Sequence, residues 1–276
     1  MRSMTLWSAL LVIGFAAVAE AQRFERILFP LVVLRHPGAY GTVWTSKATV
    51  WHSGSAPVEL FPSECYFRCS GGCAITTCNP GAATPPQSYY APNDLDRGEL
   101  GATPNPATLL YVPRDRSSDV AASLHLLEET YRTVEAGVEL PVVREAGLFT
   151  TLLTLPSVPV LPPGEGRTHL RLYGVESPSG RARVNVRMYP VQTPTTVTYD
   201  VTVDLLPPRY SGATPRPNEF DEPQPSYLQL LVPPEAARTS GAVRIVVESR
   251  TETLKFWAMA SVTTNTTQHV TIVSPQ

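Results

Sequence analysis

The chain has 276 residues, a formal net charge of −2 and 17% charged side chains, so it lacks both the broad basic field that attracts nucleic acid and an acidic tail. Most of its 28 prolines cluster between apolar runs, from Pro80 to Pro92, Pro104 to Pro113, Pro156 to Pro163 and Pro207 to Pro234. Between the clusters Val, Leu, Thr and Tyr alternate with polar residues at period two, the mark of half-buried strands separated by turns.

In chain order, the first element is MRSMTLWSALLVIGFAAVAEAQ, with Arg2, an apolar run from Leu6 to Ala19, and Ala19-Glu20-Ala21 ahead of Gln22. This predicts a signal peptide over 1–21 with an A-x-A cleavage site, and hence a secreted, periplasmic or cell-surface protein. A retained membrane anchor is the competing reading, and the run is short for one. No later window reaches the roughly 20 apolar residues that a spanning helix needs, so no transmembrane segment is expected after cleavage.

A first β-sandwich is expected over 22–141, opening on the strand-turn-strand segment WTSKATVWHSGSAPVEL, Trp44 to Leu60. It carries an insertion over 63–81, SECYFRCSGGCAITTCNPG, with all four cysteines: Cys65, Cys69, Cys73 and Cys78. The spacing C-x3-C-x3-C-x4-C lacks the C-x2-C knuckles of structural zinc and the C-x-x-C of a redox pair. Export and an even count favour two disulfides that staple the loop, and all three pairings stay open at this level. Further on, Val120, Leu124, Leu127, Tyr131, Val134 and Val138 recur at helical spacing behind Asp119, yet a match with the second half argues for strand, which is the expectation adopted.

The second β-sandwich is expected over 142–276. RTHLRLYG sets Thr168, Leu170 and Leu172 against Arg167, His169 and Arg171, and RARVNVRMY sets Val184, Val186 and Met188 against Arg183, Asn185 and Arg187. The turn VESPSG between them predicts a hairpin in which Arg171 faces Arg183 and Arg167 faces Arg187. Like charges placed directly opposite are unfavourable, so either Asp200 and Asp204 on the next strand balance them or the face docks an anionic ligand.

The two halves also match each other. Ala48 and Val50 fall on Leu170 and Leu172, Trp51 falls on Tyr173, and Leu124 to Val143 aligns without a gap on Leu254 to Val273. LRHPGAYGTVWTSKATVWHSGSAPVEL in the first half, with RTHLRLYGV, LVPPEAARTSGAVRIVVES and LKFWAMASVTTNTTQHVTIV in the second, resembles the secreted β-sandwich repeat modules of bacterial exported and surface proteins. That resemblance implies two tandem immunoglobulin-like antiparallel sandwiches with an architectural or binding role and no catalytic residues. The cysteine insertion and Leu127-Glu128-Glu129 depart from it.

No G-x-S-x-G elbow, H-E-x-x-H motif, P-loop or G-x-G-x-x-G turn occurs, and His36, His52, His125, His169 and His269 are scattered singly, so no catalytic residue, metal or cofactor is expected. Two candidate sites remain: the basic face Arg167, Arg171, Arg183 and Arg187, and an aromatic stacking platform of Trp44, Trp51, Tyr89 and Tyr90. The expected function is a non-catalytic exported β-protein, structural, adhesive or accessory, with an envelope glycan or another exported protein as partner. A carbohydrate-binding module or secreted enzyme subunit is the alternative.

Overall fold

Period-two alternation becomes strand along most of the chain. The computed structural model describes residues 24–33, 36–38, 41–62, 82–84, 88–90, 107–130, 137–176, 182–205 and 225–276. Its first ten strands are β1 (Phe24–Phe29), β2 (His36–Pro37), β3 (Val43–His52), β4 (Val58–Pro62), β5 (Ala82–Thr84), β6 (Ser88–Tyr90), β7 (Thr108–Pro113), β8 (Val120–Glu128), β9 (Gly137–Leu140) and β10 (Val143–Arg144). Eight more follow: β11 (Leu152–Pro159), β12 (Gly166–Glu176), β13 (Ala182–Pro190), β14 (Tyr199–Leu205), β15 (Ser226–Leu231), β16 (Ala242–Ser249), β17 (Lys255–Thr264) and β18 (Val270–Val273).

The fold is all-β, and its sheets are antiparallel. In the first half the sheet orders are β10-β1-β7-β4-β5 and β2-β3-β8-β9, with β6 also pairing β3. In the second half they are β11-β16-β13-β14 and β15-β12-β17-β18. Apart from the two-residue strands β2 and β10, the orders coincide: β1-β7-β4-β5 corresponds to β11-β16-β13-β14, and β6-β3-β8-β9 to β15-β12-β17-β18. The strand register refines the correspondence. Ala48 pairs with Leu124 and Leu170 pairs with Ala260, so with Ala48 placed on Leu170, Leu124 falls on Ala260 rather than on Leu254.

Each half has its own apolar cluster. Ile27, Val50, Leu109, Val112 and Leu124 anchor the first, and Leu155, Leu170, Val186, Ile245 and Phe256 the second. Fully burying one such side chain stabilises by about 1.5–3 kcal/mol, which is why the alternating faces turn inward. Residues 120–128 form a strand, as the match between halves implied, because β8 pairs with β3 continuously from Trp44↔Glu128 to His52↔Val120. That ladder and the burial of Val120, Leu124 and Leu126 outweigh local helix propensity. Asp119 ends a short 3-10 turn, Arg114–Asp119, instead of capping a helix.

The hairpin expected between β12 and β13 does not form. β12 pairs with β15 and β17, while β13 pairs with β14 and β16, so the chain crosses from one sheet to the other between them. The reason is visible in β12 itself: Leu172, Tyr173, Gly174 and Val175 are all buried, which requires a central strand covered on both faces. A hairpin with the charged outward face of β13 offers no such cover.

Candidate functional site

The four arginines proposed as one basic face lie in two sheets. Arg183 sits opposite Asp204, and its Nε and Nη2 donate to Asp204 Oδ1 and Oδ2 at 2.7 and 3.1 Å, a bidentate pair on the exposed face. Arg187 sits opposite Asp200 but donates from Nη2 to Glu248 Oε2 at 2.7 Å, while Asp200 accepts from Asn185 Nδ2 at 2.7 Å. Counter-charges thus come from the neighbouring strands, as the balancing alternative held, with Glu248 of β16 in place of Asp200 for Arg187.

Arg167 and Arg171 lie on the β12 face turned away from Leu170 and Leu172. Arg171 Nη1 donates to the Tyr227 hydroxyl at 2.7 Å, which donates on to Gln229 Oε1 at 3.0 Å. Arg167 Nη1 reaches Asn265 Oδ1 at 3.4 Å. His169 between them is held down at about 4 by its burial and then by the charges of Arg171 and Arg167, so the imidazole is neutral at ordinary pH.

Beyond Arg171 this face becomes a buried aromatic junction. Tyr173 lies 5.5 Å from Tyr227 and 5.9 Å from Trp257, ring centre to ring centre, in tilted pairs. Tyr173, Val175, Tyr227, Trp257 and Met259 belong to the first-half cluster although their strands belong to the second half. The Tyr173 hydroxyl is buried with no hydrogen-bond partner among the described residues, and burial raises its pKa well above the usual phenol value.

A charged network lies beside the junction, at the Glu176↔Lys255 end of the β12–β17 ladder. Arg26 Nη2 on β1 contacts Glu145 Oε1 at 2.7 Å and Glu176 Oε2 at 2.6 Å; Lys255 Nζ contacts the same two carboxylates at 2.8 and 3.0 Å; Arg114 Nη2 reaches Glu145 Oε2 at 3.0 Å. Burial alone raises the pKa of Glu145, but the hydrogen bonds from Arg26 and Lys255 outweigh it and hold the carboxyl at about 2. Glu176 is lowered in the same way. With both carboxylates held ionised and each bridged by Arg26 and Lys255, the network is a clamp between β1, the turn at Glu145, β12 and β17. Beside it Phe149 and Phe256 exchange two backbone hydrogen bonds of 2.9 Å, tying the connecting segment to β17.

The proposed aromatic platform is divided. On β3 the even-numbered residues Ser46, Ala48, Val50 and His52 are buried while Lys47 and Trp51 are exposed. Trp44 packs against the first-half core, its Nε1 donating to Thr42 Oγ1 at 3.1 Å, and Trp51 stands on the opposite face, 44% exposed. Tyr89 and Tyr90 lie on β6, whose backbone pairs Tyr89 with Trp51 and Tyr90 with Val50. Cys65, Cys69, Cys73 and Cys78 lie outside the described residues, in the connection from β4 to β5, whose strands pair at Leu60↔Ala82.

One cluster escaped sequence reasoning. His52, fully buried, lies 3.4 Å from Arg116 Nη2, which also donates to the Ala56 carbonyl at 3.0 Å, while Arg116 Nε donates to Asp119 Oδ2 at 3.0 Å. A Cβ at Gly54 would fall 2.5 Å from both Arg116 Nη2 and His52 Nε2, so the turn after β3 needs glycine there. The group fastens the 53–57 turn onto the 114–119 turn. Nothing local in the sequence announces it, because its members meet only through the β3–β8 ladder. Comparison with protein-family models, curated proteins and solved structures finds no match for this chain.

Proposed function

We propose that the protein is an exported, non-catalytic chain of two tandem immunoglobulin-like β-sandwiches with a structural, adhesive or accessory binding role at or outside a bacterial cell envelope. The observation that carries this reading is the junction. The densest charge and the largest aromatic cluster among the described residues are engaged in holding one half against the other. The matching strand orders support a repeated module, and the leader-like first 21 residues support export.

Cell fractionation with thiol titration tests it. The chain should be recovered from the envelope or medium with Gln22 as its first residue and no thiols reactive until reductant is added, and it should be retained by envelope material. Recovery from the cytoplasm with four free thiols overturns the proposal.

A second reading, a carbohydrate-binding module, draws on Trp51, an exposed indole on an open strand face. Retardation by polysaccharide in affinity electrophoresis, lost in Trp51→Ala, would establish it.

A further inference from the structure

We propose that the outward face of β3 around Trp51 docks a second copy of this chain, head to tail, in the manner in which the two halves meet inside one molecule. The inference rests on the structural reading above and on the matched strand orders. Trp51 pairs with Ala121 on one side and Tyr89 on the other, as Tyr173 pairs with Trp257 and Tyr227. The two positions are therefore the same place in the two halves. Their fates differ: Tyr173 is 0% exposed, under residues of the first half, and Trp51 is 44% exposed.

The surface that covers Tyr173 defines what would cover Trp51. The first half reaches the junction through β1, whose Arg26 pairs with Glu176, and through β9, whose Val138 packs on the cluster that also holds Ile272 of β18. In the second half the place of β1 is taken by β11, and β11 opens on Leu152, 45% exposed. Trp51 and Leu152 are thus two large exposed apolar side chains on the two surfaces that an intermolecular copy of the junction brings together. On the β8 side the residues beside Trp51 and Thr49 are the small Ala121 and Ser123, and the indole is 44% exposed.

The face and its complement are different surfaces, so the contact is heterologous and adds copies in one direction. The test is sedimentation velocity of the full chain, as its host processes it, over a wide concentration range. The wild-type chain should grow past the dimer with concentration. Trp51→Glu and Leu152→Glu should each remain monomeric, with the unfolding midpoint of the wild-type chain at a dilution where that chain is monomeric, and an equimolar mixture of the two should form dimers and stop there, since each brings one intact surface. If Trp51→Glu fails to fold, Trp51→Ala is read in its place and should weaken assembly at least tenfold. A wild-type chain that stays monomeric, a closed dimer unaffected by either substitution, or a Trp51 variant that loses polysaccharide retention while the wild type never assembles, each overturns the proposal. Export and thiol state are measured separately, so failure here leaves the exported structural reading standing.

Discussion

The two halves share a strand order but differ in what they ask of the corresponding sheet. In β17, Phe256 to Thr263 is buried at every position, because even-numbered residues face the second core and Trp257 and Met259 face the first half. In β3 burial alternates, and Lys47 and Trp51 face outward. A strand covered on both sides reads as a nearly continuous apolar run, FWAMASV, whereas one covered on a single side reads TSKATVWH. The difference is in the layer above the sheet, and the same topology serves as an internal wall in one half and, within the single chain, as an exposed face in the other.

Substitution at equivalent places should separate the two roles most sharply. Trp257→Ala removes a buried indole at the junction and should cost about 3–5 kcal/mol in denaturant unfolding. Trp51→Ala at the open face should stay within about 0.5 kcal/mol. Equal losses would erase the distinction.

The charged network comes next. Glu145→Gln leaves Arg26, Lys255 and Arg114 without their shared carboxylate and should destabilise by about 2–3 kcal/mol. In the wild-type chain Glu145 is depressed to about 2, so its contribution is full above the ordinary carboxyl value and disappears as pH falls from about 4.5 through 2. An acid titration of the unfolding midpoint that is the same for wild type and Glu145→Gln would refute the clamp.

A smaller effect belongs to His169. Its folded value, about 4, lies below the usual 6.5, so the unfolded chain binds the proton more readily and stability should be full above about 6.5 and decline toward 4. His169→Gln should flatten that interval of the melting-temperature profile, with several degrees less change between pH 7 and pH 4.5 than in wild type.

The smallest effect is expected at Arg183, whose pair with Asp204 is exposed on both sides. Arg183→Ala should leave the unfolding midpoint unchanged within measurement and be insensitive to added salt. A clear loss would mean that this outer face is covered in solution.

Much of this was legible in the sequence, and the misreadings have specific causes. The alternation in Thr168, Leu170 and Leu172 located one face of β12 correctly, and the spacing of Val184, Val186 and Met188 did so for β13. The turn between them misled, since two alternating strands joined by a short Gly-, Pro- and Ser-containing segment look alike whether they pair or pass to opposite sheets. The separation of Trp44 and Trp51 is odd, so period-two alternation already placed them on opposite faces of a strand. The ungapped match of Leu124 to Leu254 caught the correspondence of β8 with β17 but missed its register, which a single sequence does not encode without the ladders.

The sequence by itself determined that the chain is all-β, which side chains alternate along each strand, and that Arg183 has a carboxylate within reach. Tertiary structure alone decided which strands pair, that Tyr173, Tyr227 and Trp257 are sealed at a junction while Trp51 is open, and that Arg26, Glu145, Glu176 and Lys255 meet. The physical reason is range. Alternation is a local consequence of the pleat, while pairing and covering depend on residues more than a hundred positions apart, as Arg26 and Glu145 are, whose encounter is fixed by the burial of both apolar clusters together.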